Sequence, residues 1–95
     1  MADFEVAHLR IQGVDVVIVF LGLDFDHKST REQGEAQSVL QLCSKRAGLA
    51  GNVVLVWRDP FGKFKFLAPR NQHPYFSTAD FPQLYRQVNK RLSCG

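Results

Sequence analysis

The sequence predicts an α+β fold of two layers, ββαββα, in which a four-stranded sheet carries two helices on one face. Three observations lead to it. Residues 14–21 and 52–57 are apolar at almost every position, as strands covered on both faces are. Residues 63–67 alternate Phe64 and Phe66 with Lys63 and Lys65, the period of a half-exposed strand. Between and after these strands, residues 29–47 and 77–92 place apolar side chains at helical spacing.

Taken in order, residues 4–11 form a first strand with Phe4, Val6 and His8 on one face and Glu5, Ala7, Leu9 and Ile11 on the other, a mixed pattern suited to a sheet edge. Gln12-Gly13 offers the turn of a tight hairpin, so residues 14–21 return antiparallel. After a loop at residues 22–28, Ser29 followed by Glu32 is a capping-box pattern, and Val39, Leu40, Leu42 and Cys43 mark the apolar side of a helix that Gly48 closes. Gly34 costs that helix about 1 kcal/mol relative to alanine, so full order is expected from Glu35 onward. Asp59-Pro60-Phe61-Gly62 is a β-turn joining the third and fourth strands, and Pro69 ends the fourth. The second helix turns Phe81, Leu84, Val88 and Leu92 to the sheet and Arg86, Lys90 and Arg91 outward, leaving Ser93-Cys94-Gly95 as a tail.

Two strand orders fit. Order 1-2-3-4 makes the two apolar strands the interior pair and is preferred; order 1-2-4-3 is a permuted ferredoxin-like sheet with the third strand at an edge. Either way, two helices cover one face only, so the apolar residues of the other face require a cover. A second copy of the chain is the simplest one. The loops at residues 22–28 and 69–76 fall at opposite edges and share no site within one protomer.

The 95 residues, 45% hydrophobic and 22% charged, describe one compact domain over residues 1–95 and exclude a disordered chain. A domain of this size buries about two-thirds of its unfolded surface, which makes self-association a useful supplement to the core. The apolar run at residues 16–23 is far below the roughly 18 residues of a membrane span, and MADFEV lacks the basic start of an export signal. No membrane association and a cytoplasmic location are therefore expected. Cys43 and Cys94 form no CxxC pair and are read as reduced thiols. A net charge of +3, scattered along the chain, favours anionic partners weakly.

Residues 22–29, Gly-Leu-Asp-Phe-Asp-His-Lys-Ser, have the strand-loop-helix placement and spacing of a phosphate-binding P-loop. However, His27 stands where the second glycine belongs, and Asp24 and Asp26 would repel phosphate. The same Asp-x-Asp after an apolar strand resembles the nucleophile segment of haloacid-dehalogenase-type phosphatases, without the further motifs that those enzymes need. Asp24, Asp26 and His27 offer metal-type ligands, but a solvated acidic loop before a helix N-terminus explains them without a metal. The candidate ligand-binding residues are thus Asp24, Asp26, His27, Lys28 and Ser29, with Arg70, His73 and Tyr75 of the polar 69–76 loop.

The leading functional expectation is a small homodimeric binding or interaction module, without cofactor or catalysis of its own. An alternative is nucleic-acid binding through Arg58, Lys63, Lys65 and Arg70 around the second hairpin. Another is a small phosphate-handling or metal-assisted enzyme at residues 24–29.

Overall fold

The computed structural model describes residues 2–94 and has five strands in one mixed sheet, with helices on both faces. The strands are β1 (Ala2–Ile11), β2 (Val14–Phe20), β3 (Asn52–Arg58), β4 (Phe64–Leu67) and β5 (Lys90–Cys94). The helices are α1 (Thr30–Arg46), α2 (His73–Thr78) and α3 (Phe81–Tyr85), with short 3-10 turns at Leu23–His27 and Arg70–Gln72. The strand order is β4-β3-β2-β1-β5. The order 1-2-3-4 is therefore present, extended by a fifth strand beside β1, and the permuted order is set aside.

The local chemistry accounts for most of this path. Gln12 and Gly13 both take positive φ, 51° and 79°, the backbone of a two-residue hairpin turn, and Ile11 then pairs with Val14. β3 runs parallel to β2, with Val17 beside Val53, so the chain must cross over between them, and α1 is that crossover. Its N-terminus closes through the Ser29–Glu32 capping box: Glu32 N–H donates to Ser29 Oγ at 3.1 Å and Ser29 N–H to Glu32 Oε1 at 3.0 Å. With those donors satisfied the helix starts at Thr30, four residues before Gly34, instead of waiting for Glu35. Gly51 takes φ +114° where β3 begins, and a Cβ there would run into the carbonyl of Asp15 on β2. Only glycine lets the parallel strand enter so closely.

The single helix expected over residues 77–92 is corrected to two short helices and a strand. Pro82 has no N–H to give the carbonyl four residues back, so a continuous helix would break there. Ala79 and Asp80 are extended instead, and Pro82 sits in the first turn of α3, where no such bond is needed. The expected apolar stripe splits accordingly. Phe81, Leu84 and Val88 pack with Ile18 and Val56 on one side of the sheet, while fully buried Leu92 joins Val6, Val19 and Leu40 on the other. The first two residues of the expected tail, Ser93 and Cys94, belong to β5, and Gly95 lies outside the described residues.

Two further expectations change with β5. β1 is not an edge, since β5 pairs antiparallel along it with Phe4 opposite Leu92. Nor do the helices share a face: α1 packs against the side bearing Val17, Val53 and Leu55, and α2 and α3 against the side bearing Val16, Ile18 and Val54. Both faces of β2 and β3 are thus covered by the chain itself, and the uncovered face that motivated a dimer does not exist. None of the helices among the described residues is long and apolar enough to cross a membrane.

Cys43 of α1 and Cys94 of β5 are joined in a disulfide, with Cα atoms 5.9 Å apart. This corrects the reading of two reduced thiols and removes the argument for a reducing compartment that rested on it. With two cysteines the sequence allows one intrachain pair, but its closure depends on β5 lying under α1, which the sequence reading missed. Closing a loop of 51 residues stabilises the fold by about 4 kcal/mol in the chain-entropy account.

Candidate functional site

The loop that resembles a phosphate cradle is folded as something else. Residues 23–27 make a 3-10 turn in which Phe25 N–H donates to Gly22 O and Lys28 N–H to Phe25 O, so these amides point into the turn and not at a ligand. Gly22 has ordinary extended backbone. The Ser29 hydroxyl is taken by the helix cap, and its amide holds the Glu32 carboxyl below its usual range.

Asp26 is occupied as well. Its Oδ1 accepts from Trp57 Nε1 at 3.1 Å and from Lys65 Nζ at 3.0 Å, and Phe25 packs edge-on against the Trp57 ring. These hydrogen bonds, Trp57 first, hold its carboxyl below the usual range. Asp59, which the sequence marked only as a turn residue, is buried and accepts from the amides of Phe61 and Lys63, shaping the turn that brings Lys65 to Asp26. This cluster fastens the 3-10 turn to the β3–β4 hairpin. Asp24, His27 and Lys28 are exposed, and Asp24 and Lys28 border a hollow described below.

The 69–76 loop lies at the other end of the sheet, because β4 runs antiparallel to β3. There His73 donates its ring N–H to Ala68 O at 2.8 Å and meets Phe66 edge-on, and Tyr75 packs on Phe76. Arg70 is exposed. Of the four cations considered for nucleic acid, Arg58, Lys63 and Lys65 lie at the β3–β4 hairpin turn, where Arg58 lies over the Phe81 ring at 4.6 Å and Lys65 is paired with Asp26, whereas Arg70 stands apart beyond the far end of β4. Among the described residues there is no group of three His, Cys, Asp or Glu side chains that could hold a metal.

The surface that does come together is one the sequence did not single out. Two open hollows of about 490 and 430 Å³ run along the flank of α1 and share Val39 and Cys94. Val39 and Leu42 are 60% and 57% exposed, although both belong to the helix that covers the core. They sit where the flank of α1 meets β5, and β5 is a terminal strand of the sheet with one side unpaired. Both edges carry features that limit further pairing: β5 is five residues long with exposed Lys90 and Arg91. β4 is four residues long and is followed by Pro69, features that blunt an edge against further pairing.

The α1 flank has a regular composition. Glu35, Val39, Leu42 and Arg46 are spaced by four, three and four residues, which places them in one line on a helix, all exposed. Glu35 at one end is paired with Arg31 at 3.1 Å, and Val39, Leu42 and Arg46 border the hollow beside β5. Of the stripe expected from the sequence, Leu40 is buried and Cys43 partly buried, joined by Ser44 and Ala36, whereas Val39 and Leu42 are exposed.

No family model, curated protein or solved structure matches the chain. The class it belongs to is therefore described by its fold alone: an α+β domain with a mixed five-stranded sheet between α1 and the α2–α3 pair.

Proposed function

We propose that the chain is a homodimeric interaction module without catalysis of its own, and that it associates through the open edge of β5 together with Val39 and Leu42 of α1. The observation that carries this reading is the contiguity of an unpaired strand edge with exposed Val39 and Leu42. An open edge offers backbone donors and acceptors, and an apolar flank beside it offers burial.

A second copy fits this surface because an open strand edge is complementary to its own antiparallel copy. A two-fold axis perpendicular to the sheet makes both β5 strands antiparallel across the interface, with Val39 and Leu42 of each copy beside it. For β5, pairing centred on Leu92 sets Arg91 against Ser93 of the second copy, whose hydroxyl donates to Asp3 at 2.6 Å. A register centred on Arg91 would oppose the two arginines, and a parallel one would oppose like charges at both Lys90 and Arg91.

Light scattering behind size-exclusion chromatography tests this. A mass twice that of the chain is expected at micromolar concentration, with Leu42→Glu weakening association. A monomer at every concentration reached would overturn the proposal.

A further inference from the structure

We infer that the smaller of the two hollows beside α1, at the carboxyl end of β2, binds a free α-amino acid with an apolar side chain. Its walls and its charged mouth belong to one protomer, so the inference stands apart from dimerisation.

In sheets with parallel strands, ligands enter beyond the carboxyl ends of the strands, where the connections part. β2 and β3 are such a pair, and the chain leaving β2 is drawn to one side. Asp26 ties the 3-10 turn to Trp57 of β3 and Lys65 of β4. α1 then follows β3, with Gln37 Nε2 donating to Val53 O at 3.2 Å and Gln41 Nε2 to Gly51 O at 3.1 Å. The turn and the helix are thus held over β3, and the nearby ends of β1 and β2 stay open. The antiparallel register that sets Val6 against Val19 carries Phe4 level with Leu21, and both are half-buried. With Phe25 and Leu40 they wall a hollow of about 430 Å³. Small-molecule sites occupy about 300–1,000 Å³.

The walls are apolar, and the mouth carries one charge of each sign. Asp24 and Lys28 border it, both exposed, and among the described residues neither side chain has an ion-pair or hydrogen-bond partner. Asp24 folds back over the start of the loop: a Cβ on Gly22 would stand 3.0 Å from its Oδ1, so glycine leaves room for the carboxylate. The charge of Lys28 also reaches Glu32, whose carboxylate already accepts from the Ser29 amide.

A ligand with a carboxylate alone is repelled by Asp24, and one with an ammonium alone by Lys28. A zwitterion suits both, its ammonium toward Asp24 and its carboxylate toward Lys28. An apolar side chain on the same α-carbon is then directed at Phe4, Leu21 and Phe25. A side chain of leucine or phenylalanine size matches these walls, and binding involves no bond made or broken.

Isothermal titration calorimetry with L-leucine and L-phenylalanine up to about 10 mM tests the assignment. Glycine, isocaproate and isoamylamine serve as ligands that lack the side chain, the ammonium and the carboxylate in turn. Saturable binding of leucine or phenylalanine is expected, at least tenfold tighter than any of these three. Asp24→Asn should weaken leucine at least fivefold without weakening isocaproate, and Lys28→Gln should do so without weakening isoamylamine. Ala36→Leu fills the hollow from the helix and should abolish binding with the circular dichroism unchanged. Leu42→Glu lies outside this hollow and should bind leucine as the parent does, which separates the site from the dimer. No saturable binding of either amino acid, or an analogue that binds as tightly as leucine, would overturn the assignment.

Discussion

Trp57 donates its indole N–H to Asp26 at 3.1 Å, tying the third strand to the 3-10 turn that follows the second. Asp26 carries the strongest site-like appearance in the sequence, as the second aspartate of an Asp-x-Asp, yet its carboxylate is used to build the end of the sheet. Because its folded pKa is depressed, the stability it contributes is present above the unfolded carboxylate value of about 4 and is lost as pH falls through the folded value. Trp57→Phe removes the largest cause of that depression. The acid-unfolding profile of the variant, followed by circular dichroism from pH 6 to pH 2, should lose stability over a narrower pH range than the parent. An unchanged profile would mean that the hydrogen bond contributes nothing to folding.

Two glycines should respond in opposite directions to alanine. Gly51→Ala places a Cβ against the Asp15 carbonyl at positive φ, so a loss of about 1–3 kcal/mol or more is expected in urea unfolding. Gly34→Ala lies inside α1 with open space around it and should gain about 1 kcal/mol. Equal effects at both sites would contradict the close approach of β3 to β2.

The helix cap is separable from any ligand role of its loop. Ser29→Ala removes the acceptor for Glu32 N–H and should cost about 1 kcal/mol, with Ser29→Asp restoring most of it. A serine needed to contact phosphate would not be replaced by aspartate. Thermal unfolding of the two variants decides between these roles.

Burial on α1 and burial in the sheet should also part company. Ile18→Ala empties a fully buried position under α2 and α3 and is expected to cost about 2–5 kcal/mol. Val39→Ser changes an exposed position and should leave stability, measured on dilute protein, within about 0.5 kcal/mol. Its effect should appear in association instead. A large loss of stability in the dilute Val39→Ser protein would mean that Val39 belongs to the core after all.

What the sequence made legible was chiefly the two apolar strands and the first helix. A run such as Val53-Val54-Leu55-Val56 can only be a strand covered on both sides, and Ser29 with Glu32 names its own helix end. Residues 77–92 were misread because the spacing of Phe81, Leu84, Val88 and Leu92 fits a helix, and the period outweighed Pro82 in the reading. Proline removes one donor, and that loss was enough to turn the chain into α3 and then into β5. Everything that depends on β5 was hidden with it: the cover on β1, the partner of Cys43, and the open edge beside Val39. The Asp26–Trp57–Lys65 cluster was equally out of reach, since it joins residues 31 and 39 positions apart whose meeting depends on sheet register.

The central claim is that α1 and β5 together present a self-associating surface, and a charge placed in its apolar centre tests it most directly. Leu42→Glu puts a carboxylate at an exposed position beside Ser93 and Cys94, and Leu42→Met keeps the position apolar. Sedimentation equilibrium should give a dimer for the parent and for Leu42→Met, and association at least tenfold weaker for Leu42→Glu. A monomeric parent, or a Leu42→Glu chain that associates as tightly as the parent, would contradict the account.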